Sequence, residues 1–178
     1  NAAVPLDLLC KTWHMAGRLG EDYHATDLLT DILGGNNSSR LYQQLVKEQK
    51  LFVHLDCYHF GSSDPSLLTI EGKLVEGISM EKAEQALQIE IDKICKEGPS
   101  EQELQKVKNK TESLIAFEDM SVMSRASSLA YYELLGDAAW MNTELQQYAN
   151  VTTAQIKKVS NQLFRAENSN TLYYYATK

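Results

Sequence analysis

This chain has little to cross-link itself with. Its three cysteines, Cys10, Cys57 and Cys95, are odd in number and widely spaced, so they form neither a disulfide framework nor a C-x-x-C zinc pattern. Reduced, partly buried thiols are expected. Basic charge is also scarce: 17 lysines and arginines against 24 acidic residues give a formal net charge of −7. That balance speaks against the basic stripe a nucleic-acid-binding surface needs and against attraction to anionic membranes. No apolar run approaches the roughly 20 residues required to cross a bilayer, and no charged-then-apolar leader opens the chain. These absences predict a soluble protein with no nucleic-acid or membrane partner. They leave the compartment open, cytoplasmic or, in a bacterium, periplasmic. The abrupt start at Asn1-Ala2-Ala3, just before a strand, points to a piece of something longer.

What is present suits one domain with a sizeable core: 178 residues, 43% hydrophobic and 23% charged. Residues 5–16 predict a strand with Leu6, Leu8, Cys10, Thr12 and His14 on its core-like face. Residues 21–33 predict a helix that buries Tyr23, Leu28, Leu29, Ile32 and Leu33, with Glu21 and Asp22 favouring its N-terminus. A second helix, 38–49, would bury Leu41, Tyr42, Leu45 and Val46. Residues 51–60 and 66–75 predict paired strands around the turn Gly61-Ser62-Ser63-Asp64-Pro65. The second alternates Leu68, Ile70, Gly72 and Leu74 with Thr69, Glu71 and Lys73, which predicts one wet face.

The second half predicts helices. Ala83, Leu87, Ile91 and Ile94 have core spacing over 80–97, and Gly98-Pro99 stops that helix. Ser100 with Glu103 forms a capping box for a helix to about residue 117. Helices over 122–135 and 138–148 follow. Thr152 with Gln155 forms a second capping box, opening a helix that carries Ile156, Val159, Leu163 and Phe164, and a strand over 170–176 closes the chain. Strands at both ends around helices imply an α+β fold.

The segment from Leu33 through Gly34, Gly35, Asn36, Asn37, Ser38, Ser39 and Arg40 to Leu41 and Tyr42 is the most distinctive. Two glycines and two asparagines between helical segments make an elbow, with Ser38 or Asn37 available as a cap. As a phosphate cradle the segment fails, because no Lys-Ser/Thr follows the glycines. L-G-G, two polar residues, S-S-R-L and an aromatic resembles the signature of the C-terminal-type domain in the pitrilysin, insulin-degrading enzyme and mitochondrial processing peptidase superfamily. Gly98-Pro99-Ser100 with Glu103, Leu104 and Lys108 resembles a second family helix opening, Val151-Thr152 with Ile156 a third, and Leu172-Tyr173-Tyr174 its closing strand.

The resemblance implies an antiparallel sheet packed on helices. It also implies a parent zinc endopeptidase whose metal sits in an H-x-x-E-H motif, two histidines one helical turn apart with a glutamate base between. None of His14, His24, His54 and His59 belongs to such a motif. The zinc-bearing domain is therefore expected to precede this chain, which is expected to bind no metal and to be inactive alone. Cys57 and His59 would point to one side of their strand and His54 and Asp56 to the other, so no face gathers three ligands. His24, near Glu21 and Asp27, reads as a solvated helix face. No serine lies in a G-x-S-x-G elbow.

The zinc-lacking half of such enzymes is further expected to carry an arginine and a tyrosine, seven residues apart, that donate hydrogen bonds to the developing oxyanion. Aligned on Leu45 and Leu51, those positions here are Val46 and Val53, which cannot donate from their side chains. This departure implies that a second half or subunit supplies the pair. Arg40, Val46 and Val53 are the candidate substrate-facing residues, with Arg40 also read as an anchor of the turn through carbonyl hydrogen bonds. The leading expectation is a substrate-enclosing half-shell domain of a zinc metalloendopeptidase, partnered by the zinc-bearing domain, the second half and a peptide substrate. The alternatives are an inactive structural or processing-partner subunit of the superfamily, and an unrelated α+β ligand-binding module with a pocket between sheet and helices.

Overall fold

The computed structural model describes residues 5–176. Strands β1 (Leu8–Met15), β2 (Phe52–His59), β3 (Ser66–Leu74) and β4 (Ser169–Tyr174) form one antiparallel sheet in the order β2-β3-β1-β4. The first strand is central: Leu8 lies opposite Lys73 of β3 and Tyr174 of β4, and Trp13 lies opposite Leu68 and Ser169. The edge strand β2 pairs with β3, with a bulge between Phe52 and His54. Helices α1 (Tyr23–Leu33), α2 (Met80–Glu97) and α6 (Thr153–Leu163) pack on the sheet, while α3 (Glu101–Glu118) and α5 (Glu144–Asn150) pack on α1; α4 (Val122–Leu135) lies outside them. This is the antiparallel sheet backed by helices that the resemblance implied.

One face of the sheet is covered. Leu9, Trp13 and Met15 of β1, Leu55 and Cys57 of β2, and Leu68, Ile70 and Leu74 of β3 are buried together with the predicted stripes of α1, α2 and α6. Gly72 belongs to this inner face because a Cβ there would come within 2.5 Å of both Leu55 and Phe52. Lys11 also points inward, with its Nζ 3.2 Å from Glu84 and from Gln88 of α2. The opposite face carries Leu8, Cys10, Thr12, His14, His54, Asp56, Tyr58, Glu71 and Lys73, all half-buried or exposed. Of the residues expected on the wet face of β3, Lys73 is exposed and Glu71 half-buried, but Thr69 is buried.

Caps set the helix ends as expected. Ser100 Oγ accepts from the Glu103 N–H while Glu103 Oε2 accepts from the Ser100 N–H, and Thr152 and Gln155 exchange the same pair of bonds. Gly98, at φ +75°, ends α2 in a conformation few other residues adopt without strain.

Four expectations need correction. On β1 the core face is Leu9, Trp13 and Met15, and His14 is exposed. Both faces of that strand carry apolar residues, so a period of two cannot say which face the helices cover; the ring of Trp13, packed edge-on against Phe164 at 4.9 Å, lies on the covered one. The helix expected over 38–49 is a π-helical segment, Tyr42–Glu48, entered through a single turn; Leu41 and Leu45 are buried, but Tyr42 and Val46 only partly. The segment expected to be one helix over 138–148 divides into a 3₁₀ segment, Ala138–Thr143, and α5. Helix α1 starts at Tyr23, after Glu21 and Asp22, and has no acidic residue in its first turn. Among the described residues no helix is long and apolar enough to cross a membrane.

The assignment of faces on β1 is testable by equilibrium urea unfolding. Trp13→Ala should cost about 3–5 kcal/mol through the cavity it leaves, whereas His14→Ala, on the open face, should stay within about 0.5 kcal/mol.

Candidate functional site

The elbow owes its shape to two glycines with different jobs. A Cβ on Gly34 would lie 2.3 Å from the Cys57 backbone nitrogen, so α1 can end against β2 only with hydrogen at that position. Gly35, at φ +62°, then reverses the chain. The helical segment that follows has no side-chain cap, from Ser38, Asn37 or any other residue; Asn36 instead closes the turn itself, its Oδ1 accepting from the Ser38 N–H at 2.9 Å and from the Ser38 hydroxyl at 2.6 Å. The reversal delivers Arg40 to the start of α3. There its Nε and Nη2 donate to Glu103 at 2.6 and 2.8 Å, and Nη2 also donates to the Gly98 carbonyl at 3.1 Å. Chiefly through the Arg40 hydrogen bonds, the Glu103 carboxyl is held down at about 2. Arg40 thus anchors the turn, and its main partner is a carboxylate with a carbonyl second.

The three candidate substrate-facing residues have different surroundings. Arg40 is engaged by Glu103. Val46 is partly buried against the core from the π-helical segment. Val53 sits at the bulge of the edge strand β2 and is 56% exposed.

The histidines are dispersed as the strand alternation predicted. His54 pairs with Asp56 at 2.7 Å on the open face, while Cys57 and His59 point inward. Burial pushes the Cys57 thiol well above its ordinary range, so it is an inert core residue. Among the described residues no three of His, Cys, Asp and Glu converge as a metal site.

Sequence reasoning missed a cluster of charged and phenolic groups at one end of the sheet. His59 Nδ1 accepts from the Gly61 N–H at 3.0 Å, which puts the ring proton on Nε2, and Nε2 donates to Asp27 Oδ1 at 2.8 Å. Tyr148 of α5 donates to the other Asp27 oxygen at 2.6 Å. Burial by itself raises the Asp27 pKa, but the bonds from His59 and Tyr148 outweigh it and leave the carboxyl below its usual range.

Next to this pair, Arg18, 8% exposed, donates to Glu144 at 2.5 Å and to Tyr132 at 3.2 Å. His24 Nε2 lies 3.3 Å from Glu144 and 3.4 Å from Arg18. A guanidinium only donates, so that nitrogen can serve one of them at a time. His24 is therefore part of a half-buried ion cluster and not the solvated residue expected. Burial raises the Glu144 pKa, yet the hydrogen bonds from His24 and Arg18 prevail and hold it at about 2. Through these contacts the cluster ties α1, α4 and α5 together.

The family model described as Peptidase M16 inactive domain matches residues 3–111, which include the elbow, all of β1 to β3 and the Arg40–Glu103 pair. The chain belongs to the M16 inactive-domain family. Solved structures that share its fold include the following three. A protease from Helicobacter pylori is 21% identical at a TM-score of 0.89, covering 96% of this chain and 41% of its own. An inactive peptidase domain from Bordetella parapertussis is 20% identical at 0.88, covering 100% and 96%. A chain of Complex III2 from Candida albicans is 14% identical at 0.80, covering 98% and 44%. This M16 domain therefore spans less than half of the Helicobacter protease. No curated protein matches its sequence.

Two measurements probe the site. Arg40→Ala should cost about 1–2 kcal/mol by stranding the Glu103 carboxylate, and Arg40→Lys should recover only part of it because an ammonium cannot form the two-pronged pair. For Glu144, a folded pKa of about 2 against an ordinary 4.5 means that its contribution is complete above pH 4.5 and lost as the pH falls toward 2. Acid unfolding should show roughly 3 kcal/mol of that loss, and Glu144→Gln should flatten the slope in that window.

Proposed function

We propose that this M16 domain is the C-terminal-type half-shell of a longer zinc metallopeptidase, non-catalytic in itself, which helps to enclose an extended peptide while another domain performs the hydrolysis. The observation that supports this reading best is the combination of M16 membership with the absence of H-x-x-E-H from the chain. The zinc, its two histidines and the glutamate base would belong to a preceding domain of the parent protein. The oxyanion-holding arginine and tyrosine would come from a second half or subunit, because Val46 and Val53 stand at those positions here. The protease from Helicobacter pylori, more than twice the length of this chain, is in keeping with such a parent.

The sheet supports the substrate-facing part of the proposal. Its uncovered face and its edge strand β2 offer a wall and a line of backbone groups to which an extended peptide can add as a further strand. Of the three candidate residues, Val53 has the exposure this role needs. Val46 would shape the wall from below, and Arg40 would hold the elbow in place through Glu103.

The test is reconstitution with a quenched fluorescent peptide. The 178-residue chain with equimolar zinc should give no hydrolysis, and adding the zinc-bearing domain from the same reading frame should produce chelator-sensitive cleavage. Chelator-sensitive cleavage by the chain alone would overturn the assignment. So would a reading frame with no H-x-x-E-H, which would instead make the protein a structural or processing-partner subunit.

A further inference from the structure

Helix α4 is built inside out. Ser124, Ser128, Tyr132 and Leu135 are its half-buried residues, and their spacing of four, four and three puts them on one helical stripe. That stripe faces the body, where Tyr132 meets Arg18. No residue of the helix is buried. Val122 and Met123 are 76% exposed, Leu134 82% and Leu129 48%; Phe117 at the end of α3 and Met120 in the following turn continue the surface at 71% and 79%. A surface helix with nothing to bind shows the reverse arrangement, apolar stripe inward and polar faces outward. Several large apolar side chains exposed along one helix and the turn before it mark an interaction surface.

The total surface agrees. The chain exposes 10211 Å², whereas a compact monomer of 20.1 kDa exposes about 8,700 Å². The excess, about 1,500 Å², belongs to the chain as a whole, the uncovered sheet face included, and leaves room for an interface at α4.

Charge selects the occupant. Between residues 112 and 137 the exposed charges are Glu112, Glu118, Asp119, Glu133 and Asp137, against Arg125. A second copy would bring one acidic rim against another, and an anionic lipid surface would be repelled in the same way. We propose that α4 and the turn preceding it dock a protein face whose apolar centre is ringed by lysine and arginine. The surface lies outside residues 3–111, which the family model matches, and the inference does not depend on the parent being a peptidase.

A fluorescent amphipathic Leu/Lys helical peptide, with a Leu/Glu peptide of the same pattern as its counterpart, tests this by anisotropy titration of the full chain. The Leu/Lys peptide should bind and the Leu/Glu peptide should not. The combined substitution Val122→Ser, Met123→Ser and Leu134→Ser should weaken binding at least tenfold with an unchanged far-ultraviolet circular dichroism spectrum, since α4 has no buried residue to lose. Glu118→Lys with Asp119→Lys should shift preference toward the Leu/Glu peptide. Absence of Leu/Lys binding, or equal binding by the serine variant, would overturn the proposal. So would a sedimenting dimer, or binding to phosphatidylglycerol vesicles, that the serine variant abolishes, because the occupant would then be a second copy or a lipid surface.

Discussion

The contact between Gly34 and the backbone of Cys57 governs much of this molecule. Helix α1 ends directly against an edge strand, at a distance that leaves no room for a side chain, and the chain must turn at once. Gly35 permits the turn, Asn36 satisfies its donors, and Arg40 emerges facing the first turn of α3. There Glu103 serves two roles. It closes the capping box with Ser100 and receives both prongs of the guanidinium, so one carboxylate couples a helix start to a loop more than sixty residues earlier. A sequence that looks like a glycine-rich ligand loop is therefore a joint.

The second constraint is one-sided coverage. Helices bury one face of the sheet and leave the other with His54, Asp56, Glu71 and Lys73 in solvent. The same asymmetry recurs at α4, which turns Ser124, Ser128, Tyr132 and Leu135 toward the body and leaves Val122, Met123 and Leu134 exposed. In the proposed peptidase the sheet face would meet substrate, and α4 would meet protein.

Local chemistry was legible from the residues. The spacing of Ala83, Leu87, Ile91 and Ile94 and the pairs Ser100/Glu103 and Thr152/Gln155 define helices through contacts three and four residues apart, and the structure shows α2, α3 and α6 where those signals place them. The elbow was legible as a turn and as a family signature. Its partner Glu103 was legible only as a cap, because nothing in a capping box indicates that an arginine from another part of the chain will share it. The cluster of Arg18, His24, Asp27, His59, Glu144 and Tyr148 had no sequence signal, since its members are spread over 130 residues and none has a motif spacing.

By itself the sequence determined the order of strands and helices, most of their ends, the M16 resemblance and the lack of an H-x-x-E-H motif, because each of these depends on neighbours along the chain. Only the tertiary structure decided which face of β1 is covered, that residues 42–48 wind as a π-helix, that His24 sits beside Glu144, and that α4 presents its apolar side outward. Those outcomes depend on which surfaces meet across long separations, and a strand or helix with apolar residues on more than one face does not encode that choice locally.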